Sequence, residues 1–234
     1  MEFARFPTVA ASPQMKAMIL AAGRGERMGA LTDALPKPLL CIGQETLIER
    51  QLRRVAASGI DEVVINLSYR GEQIRAAVGD GTRFGVRVDY SQEPEPPLET
   101  GGGIVEALPL LGHGPFLLVN ADVVCDFELS SLRLGEALGC LVLVPNPAHH
   151  PAGDYGLDPA GRLRMDAPRL TYAGIALLSP QLFAGLAPGR RPLSDVFAAA
   201  ITGGQLSGVV HRGLWLDVGT PERLAAANAA LQSA

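Results

Sequence analysis

The chain has 234 residues, 47% of them hydrophobic and 19% charged, with a formal net charge of −4. That length supports one large α/β domain with a full core, and so mild an acidity gives no general attraction to nucleic acid or to an anionic membrane. No apolar run approaches a membrane span, and Cys41, Cys125 and Cys140, without metal-type spacing, read as small buried thiols in a reducing cytoplasm.

In chain order, residues 1–14 carry one arginine and no apolar h-region, so they read as a disordered extension ahead of a natural-looking start at Met15-Lys16. The run Met18-Ile19-Leu20-Ala21-Ala22 has the character of a buried strand in a parallel sheet. It breaks into a cationic turn, Gly23-Arg24-Gly25-Glu26-Arg27, and then into Pro36-Lys37-Pro38, whose prolines fix the backbone on both sides of the lysine. A glycine turn, fixed cations and a rigid lysine suit a polyphosphate. A dinucleotide loop fits poorly, because Met28 stands where a third glycine belongs and the next strand stops at Asn66-Leu67 without an acid. The other phosphate loop, GxxxxGK[ST], is absent from the chain.

Thr46 with Glu49 forms a capping-box pattern that opens a helix ending at Ser58-Gly59. A buried strand over Glu62–Leu67, a short helix over 73–78 and an alternating strand over 86–90 follow. Such alternation implies right-handed crossovers and a mainly parallel sheet. Residues 93–97 make a stiff acidic loop that runs into Leu98-Glu99-Thr100-Gly101-Gly102-Gly103 and a helix over 104–111. Glycines at that helix start are expected to press backbone donors against a flat base or sugar, with Thr100 capping or binding. The next strand, 115–122, ends in Asp122, a carboxylate at the end of the sheet where α/β folds place ligands. Beyond a strand at 141–144, His149 and His150 have no third ligand in range and read as loop residues. Residues 155–163 read as a hairpin around Asp158-Pro159-Ala160-Gly161, 171–175 and 206–211 as strands, and 193–200 as a helix. Asp217 precedes a glycine turn on a strand end that is placed to meet Asp122. Thr220 and Pro221 then start an alanine-rich helix running to Ser233.

LAAGRGERM with PKPLL, PLETGGG, the strand end Asn120-Ala121-Asp122, YGLD and WLDVGT together resemble the sugar-1-phosphate nucleotidylyltransferases over almost the whole of residues 15–231. The resemblance implies a Rossmann-like three-layer α/β sandwich with a mixed, mainly parallel sheet, the GT-A-like nucleotide-diphospho-sugar transferase fold. It implies a single domain over 15–234, with 15–125 mainly nucleotide-binding and 140–220 mainly sugar-binding. Arg27 and Lys37 take the catalytic positions. Ala21, Ala22, Gly23, Arg24, Gly25, Pro97, Thr100, Gly101 and Asn120 fall at nucleotide positions. Glu99, Gly102, Asp154, Tyr155, Gly156 and Gly174 fall at sugar positions, and Asp122 and Asp217 are the carboxylates expected to hold Mg²⁺. The partners implied are a nucleoside triphosphate and a sugar 1-phosphate, with no nucleic acid or membrane, for a cytoplasmic monomer or homodimer. Three departures stand out: Gly29-Ala30 loosens the loop, Pro97 replaces a base-reading side chain, and Tyr172-Ala173 replaces a common Asn-Thr pair.

Within that family the nearest look is to the N-acetylmuramate 1-phosphate uridylyltransferases of cell-wall recycling, on PLETGGG, NPAHHPAGD and WLDVGT. A mannose- or heptose-1-phosphate guanylyltransferase is the alternative. A catalytically silent nucleotide-sugar sensor is the alternative of another class, and it has no need of both carboxylates.

Overall fold

The computed structural model describes residues 15–232 apart from position 167, so the expected extension over 1–14 and the helix end at Ser233 lie outside the described residues. The apolar run becomes β1 (Lys16–Leu20), with Ala17, Met18 and Ile19 fully buried. A small hairpin of β2 (Cys41–Ile42) and β3 (Glu45–Thr46) leads into α1 (Leu47–Ala57). The capping box forms as expected: Glu49 N donates to Thr46 Oγ1, and Thr46 N donates to a Glu49 carboxylate oxygen at 2.9 Å. The Thr46 backbone N–H holds the Glu49 carboxyl below its ordinary value. A lowered carboxylate pKa gives stability that is present at neutral pH and lost as pH falls through the lowered value. Thr46→Ala is expected to cost about 1 kcal/mol at neutral pH, read as a lower urea midpoint at unchanged slope.

Next come β4 (Glu62–Leu67), α2 (Gly71–Val78), β5 (Arg87–Gln92), α3 (Glu99–Leu111), β6 (Phe116–Asn120) and β7 (Val123–Cys125). The second half supplies β8 (Gly139–Val144), the hairpin β9 (Gly156–Leu157) and β10 (Leu163–Arg164), β11 (Thr171–Leu178), α4 (Leu193–Thr202), β12 (Leu206–Val210), β13 (Trp215–Asp217) and α5 (Pro221–Gln232). Seven strands form one sheet in the order β12-β8-β11-β6-β1-β4-β5. β11 runs antiparallel to both β6 and β8, while every other neighbouring pair is parallel. The chain steps from β1 outward to β4 and β5, then crosses back through α3 to β6 on the other side of β1. The carboxyl ends of β1 and β6 therefore form a topological switch point, the crevice where open α/β sheets take ligands.

Both faces of the sheet are covered. Ala17 and Ile19 pack under Ile48, Leu52 and Val55 of α1 and Ile74 and Val78 of α2. Met18 packs under Ile104, Ala107 and Leu111 of α3 and Val196 and Phe197 of α4. This is the Rossmann-like three-layer α/β fold. A third apolar cluster, Met28, Leu40, Ile42, Leu47, Val124, Val218 and Ala227, seats α5 behind the loop that follows β1.

Two expectations need correction. The helix expected from residue 104 starts at Glu99, so the three glycines lie within its first turns and Thr100 is not its N-cap. Cys41 is exposed; only Cys125 and Cys140 are buried thiols.

Candidate active site

At the switch point lies a cleft of about 770 Å³. The loop after β1 forms one wall, from Ala21 to Arg27, joined by Lys37 and Pro38. Asn120, the last residue of β6, and Ala121 and Asp122 just after it form the middle, and Pro96, Pro97, Glu99, Thr100 and Arg190 close the far side. Thus Ala21, Ala22, Gly23, Arg24, Gly25, Arg27, Lys37, Pro97, Glu99, Thr100, Asn120 and Asp122, dispersed over about a hundred residues of sequence, meet in one cavity.

The turn after β1 depends on a glycine for two reasons. Gly25 has φ 67, in the left-handed region, and a Cβ there would sit 3.0 Å from the Cβ of Lys37. Its carbonyl accepts Met28 N at 2.8 Å and the Thr32 hydroxyl at 3.2 Å, closing the loop on itself. Lys37, which follows extended Pro36 and opens a 3-10 turn with Pro38, has a side chain only 12% exposed and donates to the Asp122 carboxylate. One cation of the phosphate loop is thereby joined to the acid at the end of β6. Arg24 is exposed, stacks over the Tyr69 ring at 5.1 Å and lies 3.5 Å from Glu95.

A buried polar chain beneath the cleft went unread in the sequence. Ala21 N donates to Asn66 Oδ1 at 2.8 Å, Asn66 Nδ2 donates to Glu93 Oε1 at 2.6 Å, and Leu98 N donates to Glu93 Oε2 at 2.9 Å. Asn66 and Glu93 are each 3% exposed. The chain locks the phosphate loop to the segment that opens α3, so the two walls of the cleft share one rigid floor. The only sequence signal was an asparagine in place of a hydrophobe at the end of β4.

Asp217 lies outside the cleft lining, although Gly219 two residues on belongs to it. β13 pairs antiparallel with β7, setting Asp217 opposite Val123, and Val218 N donates to the Asp122 carbonyl at 2.8 Å. The two aspartates are therefore neighbours across a strand pair. Asp217 takes Arg223 at 2.8 Å and His149 Nε2 at 3.1 Å. His149, expected to be a plain loop residue, contacts a candidate metal carboxylate, and His150 pairs with Asp154 at 3.0 Å. Cys125, Asp126 and His211 also lie within 4.8 Å of one another, but the Arg54 guanidinium beside Cys125 disfavours a cation there.

Other expected site residues serve packing. Gly101 and Gly102 do not face the cleft. A Cβ on Gly102 would fall 2.3 Å from the Gly189 carbonyl, and Gly102 N donates to Arg191 O at 3.0 Å, so these glycines admit a neighbouring backbone instead of a base. Asp154 accepts Tyr172 N at 2.7 Å. Tyr155 is buried edge-on against Phe197, and burial pushes its hydroxyl up to about 12. The Tyr172 hydroxyl is also pushed up by burial. Gly156 abuts the Asp166 carbonyl, and Gly174, at φ 74, brings the bulge of β11 against the Asn120 amide. None of these lines the cleft except through Asn120.

A family model for nucleotidyl transferases matches residues 16–157. The chain belongs to the nucleotidyl transferase family. This nucleotidyltransferase is 45% identical to the N-acetylmuramate alpha-1-phosphate uridylyltransferase of Neisseria meningitidis serogroup B, over 92% of this chain and 97% of that protein. It is 32% identical to the protein of the same name from Caulobacter vibrioides, over 93% and 97% of the two chains. Among solved structures, HddC from Yersinia pseudotuberculosis superposes with a TM-score of 0.78 at 21% identity, covering 93% of this chain and 99% of that one, which shows the shared fold.

Enzymes of this family use a divalent metal ion. The donors here fit such an ion: two carboxylates, hard oxygen ligands, on segments that are neighbours across one strand pair. No helix among the described residues is long and apolar enough to cross a membrane.

Proposed function

We propose that this nucleotidyltransferase moves the uridylyl group of UTP onto N-acetylmuramate 1-phosphate, releasing pyrophosphate and forming the UDP-sugar in the cytoplasm, as in cell-wall recycling. The observation that carries the chemistry is the Lys37–Asp122 pair at the switch point, in a cleft walled by the Arg24 and Arg27 loop. The sugar and base follow the names of the two relatives above. A phosphate oxygen of the sugar 1-phosphate attacks the α-phosphorus, the bond from that phosphorus to the bridging oxygen of the β-phosphate breaks, and pyrophosphate leaves. The attacking oxygen is already ionised, so no general base is needed; positioning and charge neutralisation suffice. Lys37 bridges the α-phosphate and the incoming phosphate, and Arg27 neutralises charge growing on pyrophosphate. Asp122 and Asp217 would hold Mg²⁺, which would supply further charge neutralisation at the phosphates. Residues 15–125 form mainly the nucleotide half and 140–220 mainly the sugar half.

The test is pyrophosphate release with Mg²⁺ over a grid of nucleoside triphosphates and sugar 1-phosphates. UTP with N-acetylmuramate 1-phosphate should stand out by kcat/KM. Preference for GTP with mannose 1-phosphate would discard the substrate and keep the chemistry; silence across the grid with intact nucleotide binding would discard both.

A further inference from the structure

Three cations of the cleft, Arg24, Arg27 and Lys37, lie on the first phosphate-binding segments, and a fourth comes from elsewhere. Arg190 lines the cleft from the segment leading into α4. Its side chain is 70% exposed and meets the Glu99 carboxylate at 2.5 Å, at the start of α3. The backbone beneath it is fixed on both sides: Arg191 N donates to Leu98 O at 2.9 Å, and Gly102 N donates to Arg191 O at 3.0 Å. Gly102 has no room for a Cβ, because the Gly189 carbonyl would be 2.3 Å away. Glu99 itself sits at φ 63, a left-handed conformation that a non-glycine residue holds only when its surroundings impose it. The result is a guanidinium on an anchored backbone, facing the cleft and held only by a solvent-exposed carboxylate. Exposed pairs of this kind are weak and exchangeable, whereas a carboxylate inside a cleft can take a guanidinium in two parallel hydrogen bonds.

N-acetylmuramate differs from N-acetylglucosamine by a lactyl ether that carries a carboxylate. Its 1-phosphate is therefore anionic at two ends, and the cleft offers cations on two walls. We infer that Arg190 is the specificity residue that binds the lactyl carboxylate, exchanging Glu99 for the substrate's acid. This role rests on N-acetylmuramate 1-phosphate being the sugar substrate. It also explains why Gly101 and Gly102, on the helix facing the nucleotide wall, are given over to seating the 189–192 segment.

The experiment compares the parent enzyme with Arg190→Ala and Arg190→Lys. KM is measured for N-acetylmuramate 1-phosphate and for UTP, and dissociation constants for UDP-N-acetylmuramate and UDP-N-acetylglucosamine are measured by calorimetry. Arg190→Ala should raise KM for N-acetylmuramate 1-phosphate and the dissociation constant of UDP-N-acetylmuramate by about 10–100-fold, the usual range for losing a charge-assisted pair. The UTP KM and UDP-N-acetylglucosamine binding should stay within about twofold, which also certifies the fold, and Arg190→Lys should restore part of the loss. Equal weakening of both UDP-sugars, or a raised UTP KM, would place Arg190 on the nucleotide and overturn the inference. Unchanged muramyl binding would overturn it as well, with the proposed reaction standing. A parent enzyme inactive on N-acetylmuramate 1-phosphate would sink the reaction itself, and the role of Arg190 with it.

Discussion

Lys37→Ala is expected to lower kcat by about 10²–10³-fold, the usual cost of removing one preorganised electrostatic contact from a transition state. Lys37 is nearly buried, flanked by two prolines and bonded to Asp122, so its ammonium is held in place before substrate arrives. In the proposed reaction, truncation removes the cation assigned to the reacting phosphates, and it strips Asp122 of its counter-charge in the same step. Lys37→Arg is not a rescue: Gly25 already approaches the lysine stem closely, and a planar fork is longer and shaped differently. Steady-state kinetics with saturating UTP and sugar phosphate reads the effect. A variant turning over within threefold of the parent would remove Lys37 from its assigned role.

Glu93→Ala is expected to destabilise the protein by about 3 kcal/mol, because a buried donor, Asn66 Nδ2, and a partly buried one, Leu98 N, lose their acceptor and an orphaned buried group costs about 1–3 kcal/mol. The loss should also reach activity. With Glu93 gone, Asn66 is free to rotate, and the Ala21 N–H that orients the phosphate loop loses a fixed partner. Glu93→Gln retains one carbonyl acceptor but points an amide donor at another donor, so it should fall between parent and alanine. Urea unfolding gives the stability and kcat/KM the coupling to the cleft. An alanine variant within 0.5 kcal/mol of the parent, a margin typical of surface substitutions away from any special feature, would show that the buried chain is not holding the floor together.

What the sequence disclosed was local. The β1 run, the glycine turn and Pro36-Lys37-Pro38 carry their reasons within a few residues, and the capping box at Thr46 and Glu49 does too. The hairpin at 155–163 was readable because Asp158 makes its own turn, its carboxylate accepting Ala160 N and Arg162 N at 2.9 Å. The concealed features depend on partners far along the chain. Gly101 and Gly102 are glycine because backbone at 189–192 leaves no room, so a base-binding motif and a packing motif look alike in one dimension. Asn66 and Glu93 look like a strand end and a loop acid until the sheet sets β4 beside β5. The nearness of Asp217 to Asp122 was expected from the resemblance; the β7–β13 pairing that delivers it is a short ladder with little pattern of its own. His149 acquires its contact with Asp217 in the same way.

The third apolar cluster has a bearing on how the enzyme comes to be made. Met28 and Leu40, on the segments that carry Arg27 and Lys37, are packed against Val218 and Ala227 near the other end of the chain, and Gly43 N is bonded to Asn228 at 2.7 Å. The segments that carry Arg27 and Lys37 are therefore translated early and packed against residues translated late. The loop after β1 thus takes part of its support from α5, at a separation of nearly two hundred residues along the chain.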